Sequence, residues 1–256
     1  MPDIAIIGRG RLGPALAAAL RAAGRSVEGP LGRGETPGAG VEAVLLCVPD
    51  AEIARAAALV PPGPLVGHCS GATPLTALGD RPAFGLHPLM AVTEEGARFA
   101  GAGGAVAGTT PEALAFARGL AADLGLNAIE LADEDRAAYH AAASIASNFL
   151  VTLEAAAERM LGHDRELLVP LVRATVENWA RLGPERALTG PVARGDEVTV
   201  ARQRAAVEAR APELAPLFDA LVAATRGVAE GGATAPDEAG AAPADPSAAV
   251  PDEAAA

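Results

Sequence analysis

Short apolar runs, each followed by a polar or glycine-rich break and then a stretch with helical spacing, organise the first half of the chain. They predict strands at Ile4–Ile7, Ser26–Leu31, Ala43–Val48, Leu65–Cys69, Ala83–Leu86, Gly104–Ala107 and Asn127–Leu131. Between them the spacing predicts helices at Leu12–Ala23, Ala51–Val60 and Pro111–Leu124, the first with Leu12, Leu16, Ala19 and Leu20 on one face. Apolar strands alternating with helices imply a mostly parallel sheet covered on both faces. The pattern changes at Asp133-Glu134-Asp135. Beyond it no strand is predicted, only helices at Asp135 to about Leu161, Asp164–Arg181, Val198–Arg210 and Pro212–Val228, with a loop from Thr189 to Gly195. From Ala229 onward the chain is nearly all Ala, Gly, Pro, Asp and Glu, a composition that cannot offset the entropy of ordering.

The break after the first strand is Gly8-Arg9-Gly10-Arg11-Leu12-Gly13. A G-x-G-x-x-G between a strand and a helix is the context in which it signals dinucleotide binding. The first glycine permits the turn, the second lets backbone approach a pyrophosphate, and the third lets helix pack on strand. Free N–H groups at the helix start then face the phosphates. A glycine turn with no ligand is the bland alternative. The fold class expected is α/β: a Rossmann-like, mostly parallel sheet domain at 1–132, an all-helical C-terminal domain at 133–228 and a disordered acidic tail at 229–256. The end of the second strand meets the adenosine ribose in this fold, and Arg33 in its glycine-flanked loop favours the 2′-phosphate of NADP. Arg9 adds positive charge. NAD is the less favoured cofactor; it would need Glu28 to bind a free 2′-hydroxyl.

Composition narrows the partners. A net charge of −12 argues against nucleic acid. The chain has no lysine, so no Schiff-base mechanism is open to it. Cys47 and Cys69 lie in apolar runs and read as buried thiols of a reducing compartment; neither has metal-ligand spacing, and no metal is expected. No basic leader and no apolar stretch of about 18 residues is present, so a cytoplasmic protein without a membrane span is expected.

Candidate chemistry falls in three places. His87, in Gly85-Leu86-His87-Pro88, follows a strand-like run where parallel sheets present ligands, and can act as acid or base near neutral pH. His68 also lies near a strand end, but a core or backbone-bonded role suits it as well; His163 at a helix end reads as structural. On the long helix, His140, Ser144, Ser147 and Asn148 fall at i, i+4, i+7 and i+8, a polar stripe without Glu, Lys or Arg. Such a stripe either lines a site or joins helices through small polar groups. Thr189 and Arg194 could hold a substrate carboxylate, although a salt-bridged structural loop explains them equally.

These segments, with Cys47-Val48-Pro49-Asp50, Leu86-His87-Pro88-Leu89, Tyr139-His140-Ala141-Ala142-Ala143 through Ser147-Asn148, and Leu188-Thr189-Gly190-Pro191 through Arg194-Gly195-Asp196, occur here in one order. Over about residues 3–228 the chain resembles a bacterial oxidoreductase family that joins a Rossmann-like domain to a helical domain of unknown function. That family is similar to pyrroline-5-carboxylate reductase, ketopantoate reductase, prephenate dehydrogenase and the 3-hydroxyacid dehydrogenases. The resemblance implies a cofactor site on Gly8, Arg9, Gly10, Arg11, Leu12, Gly13, Arg33, Val48 and Pro49. It also implies a helical domain that forms the substrate pocket and a homodimer. The hydroxyacid dehydrogenases place a lysine four residues before an asparagine on the helix; here Ser144 stands in that place before Asn148, so their mechanism does not transfer. The expected function is an NADP-dependent oxidoreductase moving a hydride between nicotinamide and a small carboxylate-bearing keto or imino compound. His140 or His87 would donate the proton, Ser144 and Asn148 would hold the reacting group, and Ser147, Thr189 and Arg194 would bind substrate. A non-enzymatic NADP(H)-binding regulatory or redox-sensing protein is the alternative, and a deazaflavin-dependent oxidoreductase shares the fold.

Overall fold

A computed structural model describes residues 3–93, 96–162 and 164–232. All seven predicted strands form one sheet: β1 (Ile4–Ile7), β2 (Val27–Leu31), β3 (Ala43–Leu46), β4 (Leu65–His68), β5 (Ala83–Leu89), β6 (Gly103–Gly108) and β7 (Asn127–Glu130), in the order β2-β1-β3-β4-β5-β6-β7. Every neighbouring pair is parallel except β5 and β6. The direction of the chain across the sheet reverses between β1 and β3, which opens a crevice at the strand ends there.

Side chains alternate between the two faces, and each face is dry. Ile4, Ile6, Ala43 and Leu45 pack with α1 (Leu12–Ala22) and α3 (Pro111–Asp123) in one cluster. Ala5, Val44 and Leu46 pack in a second cluster with α2 (Ile53–Ala58) and the 3-10 turn Leu75–Leu78. Each fully buried leucine or isoleucine contributes about 1.5–3 kcal/mol relative to exposure. These two layers fix the strand ends that carry the site.

Three features differ from the sequence expectation. β5 does not stop at Leu86; it continues through His87 to Leu89 because β6 pairs with it antiparallel, His87 opposite Ala105 and Pro88 opposite Gly104. His87 is therefore on a strand rather than after one. The long helix is not uniform: a 3-10 turn at Asp133–Asp135 leads into α4 (Arg136–Ser144), a π turn spans Ile145–Phe149, and α5 (Leu150–Leu161) follows. The π turn widens the helix to i→i+5 bonding, so the spacing that put Ser147 and Asn148 in line with His140 no longer applies. Residues 229–232 are helical, the end of α9 (Ala215–Gly232), rather than the start of a tail; the remaining tail, 233–256, lies outside the described residues, as does His163.

The chain divides into two compact units, residues 1–151 and 152 onward. α4 and the π turn belong to the first. The second contains α6 (Arg165–Leu182), the single turn α7 (Pro184–Ala187), α8 (Glu197–Arg210) and α9. Asp196 caps α8 by accepting the Thr199 N–H at 3.0 Å. Ion pairs Arg226–Glu197 (2.7 Å) and Arg204–Asp219 (2.7 Å) tie α8 to α9 over buried Val200 and Val207. No described helix is long and apolar enough to cross a membrane.

Candidate active site

The glycine turn is built as its spacing requires. Gly8 has φ +129°, and a Cβ on it would lie 2.1 Å from the Cys47 carbonyl oxygen; one on Gly13 would lie 2.0 Å from the Gly8 carbonyl oxygen. Both positions exclude a side chain. Gly10 differs: a Cβ there meets nothing within 4 Å, so the space it leaves is open to a ligand. α1 starts directly after it, with no side-chain cap and no acidic residue in the first turn, so its N–H groups remain available to an anion.

A cavity of about 240 Å³ opens beside this turn, at the ends of β1, β2 and β3. Gly8, Arg9, Gly10, Arg33, Val48 and Pro49 line it, as expected from the sequence; Arg11, Leu12 and Gly13 do not. Its apolar side includes Pro37, Ala56 and Leu59. Its polar side holds three arginines, Arg9, Arg33 and Arg55, against two glutamates, Glu35 and Glu52. One Arg9 nitrogen donates to both Glu35 carboxylate oxygens at 2.9 and 2.8 Å, and Arg9 Nε donates to the Pro30 carbonyl at 3.2 Å. Glu52 accepts from Arg55 Nε at 3.0 Å and lies 3.6 Å from Arg33. Arg55, Glu35 and Glu52 went unnoticed in the sequence, although Glu35 stands two residues after Arg33. Glu28 is not part of the cavity: its carboxylate accepts the Gly38 N–H through both oxygens at 3.0 Å.

A more open hollow of about 790 Å³ lies between Leu75, Arg81, Thr109 and Asp135. Four carboxylates, Asp80, Glu130, Asp133 and Asp135, face one cation there, Arg81, a poor surface for a phosphate. The smaller cavity, with its three arginines, is the candidate site.

The second cluster sits along the same row of strand ends, at β4 and β5. His87 Nδ1 and the Tyr139 hydroxyl are 2.9 Å apart, with their rings edge to face. Gly71 makes room for the imidazole: a Cβ there would stand 3.0 Å from the ring. Burial, then the neighbouring His140 and Arg136, push the His87 pKa down from 6.5 to about 4. Burial raises that of Tyr139. At neutral pH the pair is thus an uncharged imidazole against an uncharged phenol.

Beneath it, Arg136 is buried at 3% exposure. Its Nε donates to Asp133 at 2.6 Å and Nη1 to the Ser70 carbonyl at 3.3 Å, while Nη2 finds no partner among the described residues. Asp133 also accepts the Leu75 N–H at 3.0 Å, so the start of α4 is fastened to the β4–β5 connection. His68 is fully buried, accepts the Ser70 N–H at 3.2 Å, and is held neutral with a pKa lowered to about 4, chiefly by burial. That is the core role its position allowed. Ser70 Oγ donates to Asp50 at 2.8 Å.

The remaining sequence candidates are more scattered. His140, Ser147 and Asn148 are exposed and Ser144 is half-buried. In the second unit, Arg194 donates to the Thr189 carbonyl and so clips its own loop. The two cysteines are free, with their sulfurs 3.7 Å apart.

Residues 104–225 match the model of a domain of unknown function, DUF2520. No curated protein sequence matches the chain. Among solved structures, protein TM1727 from Thermotoga maritima is 25% identical with a TM-score of 0.74, over 90% of this chain and 99% of that one. A candidate NADP oxidoreductase, BF3122 from Bacteroides fragilis, is 20% identical with a TM-score of 0.74, over 88% and 98%. A reductive aminase from Aspergillus terreus, in complex with NADPH and ethyl levulinate, shares the fold at 20% identity and a TM-score of 0.62, over 90% and 95%.

Proposed function

We propose that this chain, a Rossmann-like protein that carries the DUF2520 domain at residues 104–225, is an NADP-dependent oxidoreductase acting on a small carboxylate-bearing keto or imino compound. One observation carries the reading: the cavity at the ends of β1, β2 and β3 combines an open Gly10, a free helix start and three arginines. The folds of BF3122 and of the NADPH-bound reductive aminase support it.

The bound cofactor supplies hydride transfer at its nicotinamide; the protein supplies binding, orientation and a proton. In this reading the N–H groups after Gly8 hold the pyrophosphate, and Arg33 with Arg9 holds the 2′-phosphate, where a guanidinium gives two parallel donors. Tyr139 carries the proton. His87 cannot store one at neutral pH, because its charged form is disfavoured by burial and by cationic neighbours. It can accept the Tyr139 hydrogen bond or, in the other tautomer, leave the phenol proton free for the substrate oxygen or nitrogen. Ser144 and Asn148 are the proposed hydrogen-bonding partners of the reacting group. Exposed Leu167, Leu171 and Trp179 on α6 support pairing of two copies through the helical domain.

The test is thermal melting with NADP, NADPH, NAD and NADH in turn. Ligand at about 100 times its Kd adds roughly 2.7 kcal/mol, a shift of several degrees for a protein of this size. A shift with NADP(H) above that with NAD(H), followed by NADPH consumption with small 2-oxo or cyclic imino acids, is expected. No shift with any of the four would sink the reading.

A further inference from the structure

The nucleotide cavity already contains an anion of its own. Glu35 follows β2 by four residues, and its carboxylate accepts the Gly32 N–H at 2.8 Å while holding Arg9. A backbone amide in the loop after β2, joined to a guanidinium from the glycine turn, is a donor set suited to a phosphate oxygen. Both groups depress the Glu35 pKa, the Gly32 amide more than Arg9, so the carboxylate is ionised at neutral pH. Glu52 differs in kind: it lies between Arg33 and Arg55, which keeps those two guanidiniums near each other. Glu28, the other acid in this part of the chain, is tied to Gly38. Of the two carboxylates lining the cavity, Glu35 is the one that a ligand approaching Arg9 meets.

Resting on the NADP reading above, we infer that Glu35 is a built-in stand-in for the 2′-phosphate and sets how strongly the cavity separates NADP(H) from NAD(H). The Arg9–Glu35 pair is displaceable: the side chains are 60% and 45% exposed, and exposed pairs hold weakly. A 2′-phosphate must either push the carboxylate off Arg9 or lie beside it, and juxtaposed like charges oppose binding. A free 2′-hydroxyl meets no such penalty, since it donates to the same carboxylate. Arg33 draws the pocket toward the phosphorylated cofactor and Glu35 draws it back.

The experiment is calorimetric titration of the full chain and of Glu35→Gln with NADP, NAD, 2′,5′-ADP and 5′-AMP. Glutamine keeps an acceptor oxygen for the Gly32 amide and removes the charge, so loop order and charge are separated. The variant should bind NADP and 2′,5′-ADP about tenfold more tightly, with NAD and 5′-AMP unchanged or weakened. Equal affinities in variant and wild type, with wild type binding NADP, would overturn the role of Glu35 while leaving the cofactor reading intact. A variant that loses NAD but keeps wild-type NADP affinity makes Glu35 a ribose acceptor and also overturns the inference. A wild type that binds none of the four ligands removes both readings.

Discussion

His87 and Tyr139 are separated by 52 positions in sequence and 2.9 Å in space. Because His87 loses its proton near pH 4, the ionisable proton it faces at neutral pH is the phenol's. Tyr139→Phe should therefore lower kcat by about 100-fold or more while leaving the Kd for NADP unchanged, as general acid catalysis is typically worth 10²–10⁴. Steady-state kinetics with NADPH, set beside a binding titration, checks both halves; the same comparison with His140→Ala tests the exposed histidine favoured on sequence grounds. The glycine turn was legible because its demands are local: each glycine answers to backbone within a few residues or on the adjacent strand. The dyad was not. Tyr139 was quoted as part of a motif and given no role, since nothing in its neighbours along the chain says that β5 extends to meet it. Glu28 and Glu35 show the same limit, for which acid lines the cavity depends on which one closes the loop at Gly38.

At the scale of elements, α4 is positioned by its first turn. Asp133 neutralises the buried Arg136 and accepts the Leu75 amide, and Arg136 in turn reaches the Ser70 carbonyl. Removing one partner of a buried pair leaves an uncompensated charge. Asp133 is itself about one-third exposed, so Asp133→Asn should cost about 2 kcal/mol rather than the larger penalty of a fully buried pair. A lower urea midpoint at unchanged m-value would show it. The acidic run at 133–135 was legible as a boundary between patterns but not as an anchor, because the anchor needs Leu75 and Ser70 from elsewhere in the chain. Seven strands could be placed from apolar runs alone. The π turn could not, since Ile145–Phe149 has the composition of an ordinary helix.

For the whole molecule, the exposed apolar side chains matter most. Trp179 is 58% exposed and Leu167 and Leu171 are 64% and 63% exposed on the same helix. Sedimentation should give a dimer, and Trp179→Glu should shift it toward monomer without changing the circular dichroism spectrum; a monomeric wild type would remove the dimer from the proposal. Fold class was legible at this scale because alternation of apolar strands and helices admits few architectures, whereas an assembly surface depends on which helix faces the fold leaves uncovered.

The sheet has two ends, and they are not equivalent. β2 carries Pro30, which has no N–H to offer, and its residues are half-buried. β7 is four residues long, all exposed, with Ile129 57% exposed and, among the described residues, an Arg118–Glu130 ion pair at its end to discourage contact. An uncovered strand of this kind is a template for a neighbour's backbone. Under heat or crowding, loss of this protein to aggregates should begin by strand addition at β7, and a single lysine in place of Ile129 is the change that would protect it in storage.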